Sequence, residues 1–156
     1  MPRSSFRRLH LVSSVLALLL PAAFLTATVG VELFGDAAAI LTIKRGIAWG
    51  LVVLVPSMAA AALSGKRLAG RSRAGVIVAK QRRTRIAALN GILVLVPSAI
   101  ALYVLAARGD FGRLFVTVQT VELIAGPINV GLLALNARDG LRLSGRAKRP
   151  VRAAEA

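Results

Sequence analysis

The apolar positions of this chain fall in four long, nearly unbroken runs: Leu9 to about Val31, Gly46 to Ser64, Ile86 to Ala107 and Leu114 to Asn136. Runs of about 20 apolar residues match the roughly 30 Å hydrocarbon core of a bilayer when they are helical. A soluble amphipathic helix would show a stripe instead of a continuous run. A helix satisfies its own backbone in lipid, and the alternation expected of barrel strands is absent from the pattern. The expectation is an all-α integral membrane protein, an antiparallel four-helix bundle with helices at about 9–31, 46–64, 86–107 and 114–136. Residues 1–140 would form one transmembrane domain with a basic cytoplasmic loop over 65–85. Residues 141–156 lack a periodic apolar pattern and are expected to form a basic, disordered cytoplasmic tail.

The ends of these runs carry their own signals. Gly65 is suited to close the second helix and Gly109 the third. Ala37 to Ile43 is also apolar but is followed by Lys44 and Arg45. The second helix therefore begins either at Gly46 or near Ala38, with a cationic pair inside the outer interface whose long side chains snorkel outward. The first run follows Arg3, Arg7 and Arg8, as a secretory signal would. It is longer than the roughly 7–15 residues of a signal's apolar region, which favours an uncleaved membrane helix.

Composition agrees with this reading. The chain has 156 residues, 56% of them hydrophobic, and a mean hydropathy of +0.72, too apolar for a soluble domain and too short for more than one unit. The formal charge of +15 could suggest nucleic acid, but its placement argues against that. Seventeen of the 21 Lys and Arg lie in the N-terminus, the middle loop and the C-terminal tail. The other four (Lys44, Arg45, Arg108 and Arg113) lie in or beside the other two connections. With four helices the basic set shares one side, so both termini are expected in the cytoplasm. Phe34, Trp49, Tyr103, Phe111 and Phe115 all map near the opposite, outer boundary, where aromatic side chains gather. The Ala-, Arg-, Gly-, Val- and Leu-rich composition is typical of GC-rich genomes and points to a multi-pass protein of a bacterial inner membrane. Lys66, Arg67, Arg71, Arg73, Lys80, Arg82, Arg83 and Arg85 would contact anionic lipid headgroups, at about 1 kcal/mol each near such a surface.

Polar residues within the apolar runs carry the candidate chemistry. Glu122, Asn129 and Asn136 recur every seven residues and share one face of the fourth helix, with Gly126 on the same side. An isolated ionised carboxylate at the depth of Glu122 is costly, so this group is expected to be neutral, paired or hydrated. Its candidate partners are Lys44 and Arg45, while Glu32 ends the first helix on the same outer side. Asn129 and Asn136 are read as interhelical hydrogen-bond glue, with Asn90 a candidate partner for Asn136.

Pro21, Pro56, Pro97 and Pro127 each fall near the middle of a different helix and are expected to kink it. Two of them sit in an internal echo: residues 50–57 read GLVVLVPS and residues 91–98 read GILVLVPS. If ancestral, that echo relates neighbouring helices by inverted topology, as in many transporters, and apolar alphabets also produce such likeness by chance.

Other chemistries lack their parts. There is no cysteine, and the single histidine, His10, cannot supply bis-histidine haem ligation. No metal-ligand spacing is present, and Ser13, Ser14 and Ser57 are not read as activated nucleophiles. No cofactor is implied and no enzymatic activity is expected. The length and four-helix layout are similar to those of small multidrug exporters. Those carry an essential glutamate in the first helix, and here the first helix has none at depth, so the similarity stops at general shape. Two functions remain. One is a non-catalytic accessory or interaction subunit, in a homo-oligomer or larger membrane complex, packing through the polar seam of the fourth helix. The other is a small proton- or cation-coupled transporter or channel that uses Glu122 in a proline-kinked, hydrated cavity.

Overall fold

The computed structural model describes residues 3–69 and 75–146; Arg71, Arg73 and the residues after 146 lie outside them. The described chain is all helical: α1 (Arg3–Phe34), α2 (Ala37–Ala69), α3 (Gly75–Asn90), a π-helical turn (Gly91–Leu95), α4 (Val96–Ala107) and α5 (Arg113–Arg146). α3, the π turn and α4 form one continuous third span. Four helices are thus long and apolar enough to cross a membrane.

Each helix outruns its apolar stretch. α1, α2 and α5 have 32, 33 and 34 residues. At 1.5 Å per residue that is about 50 Å, well beyond the roughly 30 Å of a hydrocarbon core. Several boundaries therefore differ from the sequence reading. α2 begins at Ala37, so Lys44 and Arg45 lie inside a helix and not ahead of one. α2 also runs through Gly65 to Ala69, and α3 starts at Gly75, so most of the basic stretch 65–85 is helical. The tail expected from residue 141 begins with helix, since α5 continues to Arg146. The physical reason is common to all three. Lys, Arg and Ala are good helix formers, and a helix whose backbone is already bonded has no cause to stop where its apolar stretch ends.

True ends occur where the backbone supplies a stop. Asp36 caps α2: its carboxylate accepts the Ala39 N–H at 2.8 Å, three residues on. Gly109, at φ 69°, closes the third span in the left-handed conformation, with its N–H on Ala106 O and that of Asp110 on Leu105 O at 3.0 Å each. Gly65 serves packing instead. A β-carbon there would lie 3.0 Å from the His10 ring, so the missing side chain lets α1 approach α2.

Consecutive spans run antiparallel. α1 packs on α2 and α5, and the third span also packs on α2 and α5. This gives a square arrangement with α2 and α5 on one diagonal. At the end away from the termini, Leu102, Leu105, Ala106 and Phe115 form a buried apolar cluster, joined by Ile40, Leu41, Phe111 and Val118. The Phe111 and Phe115 rings meet edge to face at 5.1 Å.

The outer faces stay apolar. Only 17% of the most apolar window of each of the first two spans is buried within the chain, and 28% in each of the last two. Most of that surface is therefore left for lipid or other helices. The exposed hydroxyls of Thr26, Thr42, Thr117 and Thr120 each donate to the carbonyl four residues earlier, which removes their need for water.

The prolines do not break their helices: α1, α2 and α5 run unbroken through Pro21, Pro56 and Pro127. Pro21 is buried, whereas Pro56, Pro97 and Pro127 face outward. The two copies of the echo agree in orientation, with Ser57 and Ser98 buried beside exposed prolines. They differ in conformation, being α-helical in α2 and π-helical just before Pro97. The shared letters therefore do not select the π turn by themselves.

Replacing Asp36 by Ala removes the α2 cap. It is expected to cost about 1 kcal/mol and to speed amide exchange at Ala37–Ile40, measured by hydrogen–deuterium exchange of the protein in detergent. Unchanged exchange there would contradict the cap.

Candidate functional site

The buried face of α5 is polar along most of its length. Phe115, Gln119, Ala125, Asn129, Asn136 and Asp139 are buried, at helical spacing, and Glu122 retains only 13% side-chain exposure. The facing stripe of α2 holds Lys44, Ile47, Leu54, Ser57 and Ser64. Arg45 is one position round the helix from Lys44 and faces outward.

The two stripes meet in an ion pair. Lys44 has no exposed side-chain surface, and its Nζ donates to Glu122 Oε2 at 2.6 Å. Gln119, one turn from Glu122, directs its amide nitrogen at the same oxygen from 3.5 Å. The Cα atoms of α2 and α5 stay more than 8 Å apart among the described residues. The pair therefore crosses the diagonal, and the length of both side chains makes this possible.

Apolar layers bound the pair on both sides. Toward the loop end lie Ile40, Val118 and Phe115, each one or two turns away on α2 or α5. Toward the termini, Leu25 of α1 comes within 3.3 Å of the β-carbon position of Gly126, between Glu122 and Asn129. In this low-dielectric setting the attraction is strong, but removing two charges from water is costly. Such a pair specifies a register more than it adds stability.

A second polar cluster lies near the termini. Arg83 Nη1 donates to Asp139 Oδ2 at 2.7 Å, and Asn136 Nδ2 donates to Thr84 Oγ1 at 2.9 Å. Together these tie α3 to α5. Lys80 approaches the same place, with Nζ 3.1 Å from the β-carbon position of Gly140. On the other side of the bundle, His10 Nδ1 lies 3.0 Å from Ser64 Oγ. The Ser64 hydroxyl donates to Ala60 O, so the histidine is the donor to Ser64.

Several expected roles change. Asn90 does not reach Asn136; its Nδ2 donates at 3.0 Å to Ala125 O, beside Pro127. Arg83 faces Asp139 and not a lipid surface, and Lys80 is also turned partly inward. Lys66, Arg67, Arg82 and Arg85 are exposed, and Arg67 sits over the Phe6 ring at 5.3 Å. Glu32 forms no ion pair among the described residues, and one of its oxygens is buried without a partner. Asn129 is 2% exposed, and its Oδ1 also lacks a donor.

The seam of Asn129 and Asn136 is therefore buried within the chain's own bundle. It is not presented to other helices. Gln119 and Asp139 were absent from the sequence reading, although each lies three residues beyond an end of the Glu122–Asn136 stripe, on the same helical face. Among the described residues no group of three or more His, Asp or Glu is placed to hold a metal ion.

The chain matches no protein-family description, no curated protein and no solved structure. The site is thus read from its own geometry.

Lys44→Met leaves Glu122 buried without its counter-charge and is expected to destabilise the bundle by about 3–5 kcal/mol. Adding Glu122→Leu should restore most of that loss. Denaturation in mixed micelles checks both, and equal losses in the single and double variants would contradict the pairing.

Proposed function

We propose that this protein is a non-catalytic interaction subunit of a bacterial inner membrane, with four transmembrane helices and both termini in the cytoplasm. The observation that carries this reading is the closed Lys44–Glu122 pair. The one carboxylate deep in the fourth span faces a fully buried ammonium, with apolar layers above and below it. A transport site needs its carboxylate free to exchange its ion, and this arrangement holds Glu122 against a fully buried counter-charge.

Because the polar seam holds the chain's own helices, partners are expected on the outward faces. These present Trp49 at 70% exposure, Phe34 at 89%, and a broad apolar surface along all four spans. With its deep carboxylate held in an ion pair, such a protein acts by what it packs against. The exposed cations Lys66, Arg67, Arg82 and Arg85 gather near the terminal end, which supports a cytoplasmic placement of that end against anionic headgroups.

Two measurements test this. The chain has no cysteine, so single cysteines report cleanly on sidedness. Ala107→Cys should react with an impermeant maleimide from outside intact cells, and Gln81→Cys only after permeabilisation; the reverse pattern would overturn the topology. In proteoliposomes, wild type and Glu122→Gln should both show proton flux no greater than protein-free vesicles. A flux present in wild type and abolished by Glu122→Gln would replace the interaction reading with transport.

A further inference from the structure

The Lys44–Glu122 pair leaves one buried group unanswered. Gln119 is 5% exposed, and its carbonyl oxygen Oε1 meets no donor among the described residues. Its orientation is not arbitrary. Turning the amide over would place that oxygen against the Glu122 carboxylate, where the amide nitrogen now points at 3.5 Å. The oxygen is therefore held away from Glu122, beside the pair, and requires a hydrogen-bond donor that none of the described residues supplies.

The chemistry of the neighbours selects that donor. Lys44 has three N–H groups and directs one of them at Glu122 Oε2. A second cation would be repelled by the ammonium, and an anion by the carboxylate and the amide oxygen. A neutral molecule that both accepts and donates satisfies all three. Lys44 Nζ and the Gln119 amide nitrogen both approach one Glu122 oxygen, at 2.6 and 3.5 Å, so the ammonium and the Gln119 amide group are neighbours around it. Phe115 and Val118 on one side and Leu25 on the other make the surroundings of the pair apolar.

We propose that a buried water occupies this position, accepting a hydrogen bond from Lys44 Nζ and donating one to Gln119 Oε1. Buried waters typically answer otherwise unpaired polar atoms in this way. The water hydrates the ion pair from within and links α2 to α5 through Gln119 as well as through Glu122. It makes Gln119 a positioning residue for Lys44 and not a lone amide.

The test uses the full chain, labelled with nitrogen-15, in nanodiscs with deuterated lipid. The Gln119 side-chain amide should show a cross-peak to long-lived water, and Gln119→Leu should lower the thermal midpoint by a few degrees, because the water loses its acceptor. The absence of that cross-peak in wild type would overturn the proposal. So would a raised midpoint in Gln119→Leu, the result expected on removing a dry, unpaired acceptor. If Gln119→Leu does not fold, the wild-type cross-peak decides alone. Neither readout depends on a partner or on flux, so this site can stand or fall independently of the interaction reading.

Discussion

A lysine without exposed side-chain surface, inside a bundle with an apolar cluster one turn away, constrains everything around it. The Lys44 ammonium has to lie against Glu122, and Glu122 sits on the helix diagonally opposite. That requirement sets the rotation of α2, so that Lys44 points inward and Arg45 outward. It also sets the axial register of α5 against α2. Helices that bury aliphatic side chains against one another can slide or rotate by small steps at modest cost, whereas a buried charge tolerates one arrangement.

The rest of the interior follows in layers. Ile40, Leu102, Leu105, Phe115 and Val118 close the bundle at the loop end, and Leu25 closes the other side of the pair against Gly126. Beyond Asn129 the interior turns polar again, where Arg83, Thr84, Asn136 and Asp139 join α3 to α5 and His10 joins α1 to Ser64 of α2. Polar contacts thus join the helices at two levels, the Lys44–Glu122 pair and the cluster near the termini, and apolar packing closes the loop end. The outward-facing threonines complete the arrangement by bonding to their own helices.

How much of this the chain announced can be judged residue by residue. The four spans, the stop at Gly109 and the candidacy of Lys44 for Glu122 could all be read from letters, because each rests on local or one-dimensional signals. The end of α2 could not. Gly65 has the composition of a stop and acts as a contact for His10, and that depends on which helix lies alongside. Asn90 was matched to Asn136 by depth, yet it turns to a backbone carbonyl near Pro127, a neighbour set by the rotation of the third span.

What the sequence determined by itself was the class of object: the length and continuity of its apolar runs demand helices that satisfy their own backbones, and its basic residues bias one end. What only the tertiary structure decided was direction. In helices apolar on every side, periodicity does not mark an inward face, so the letters could not tell Lys44 from Arg45. Nor could they show that Asn129 and Asn136 turn into their own bundle, or that Gln119 joins the ion pair. Those choices depend on which helices share a diagonal, and that is settled by matching buried polar groups across the bundle.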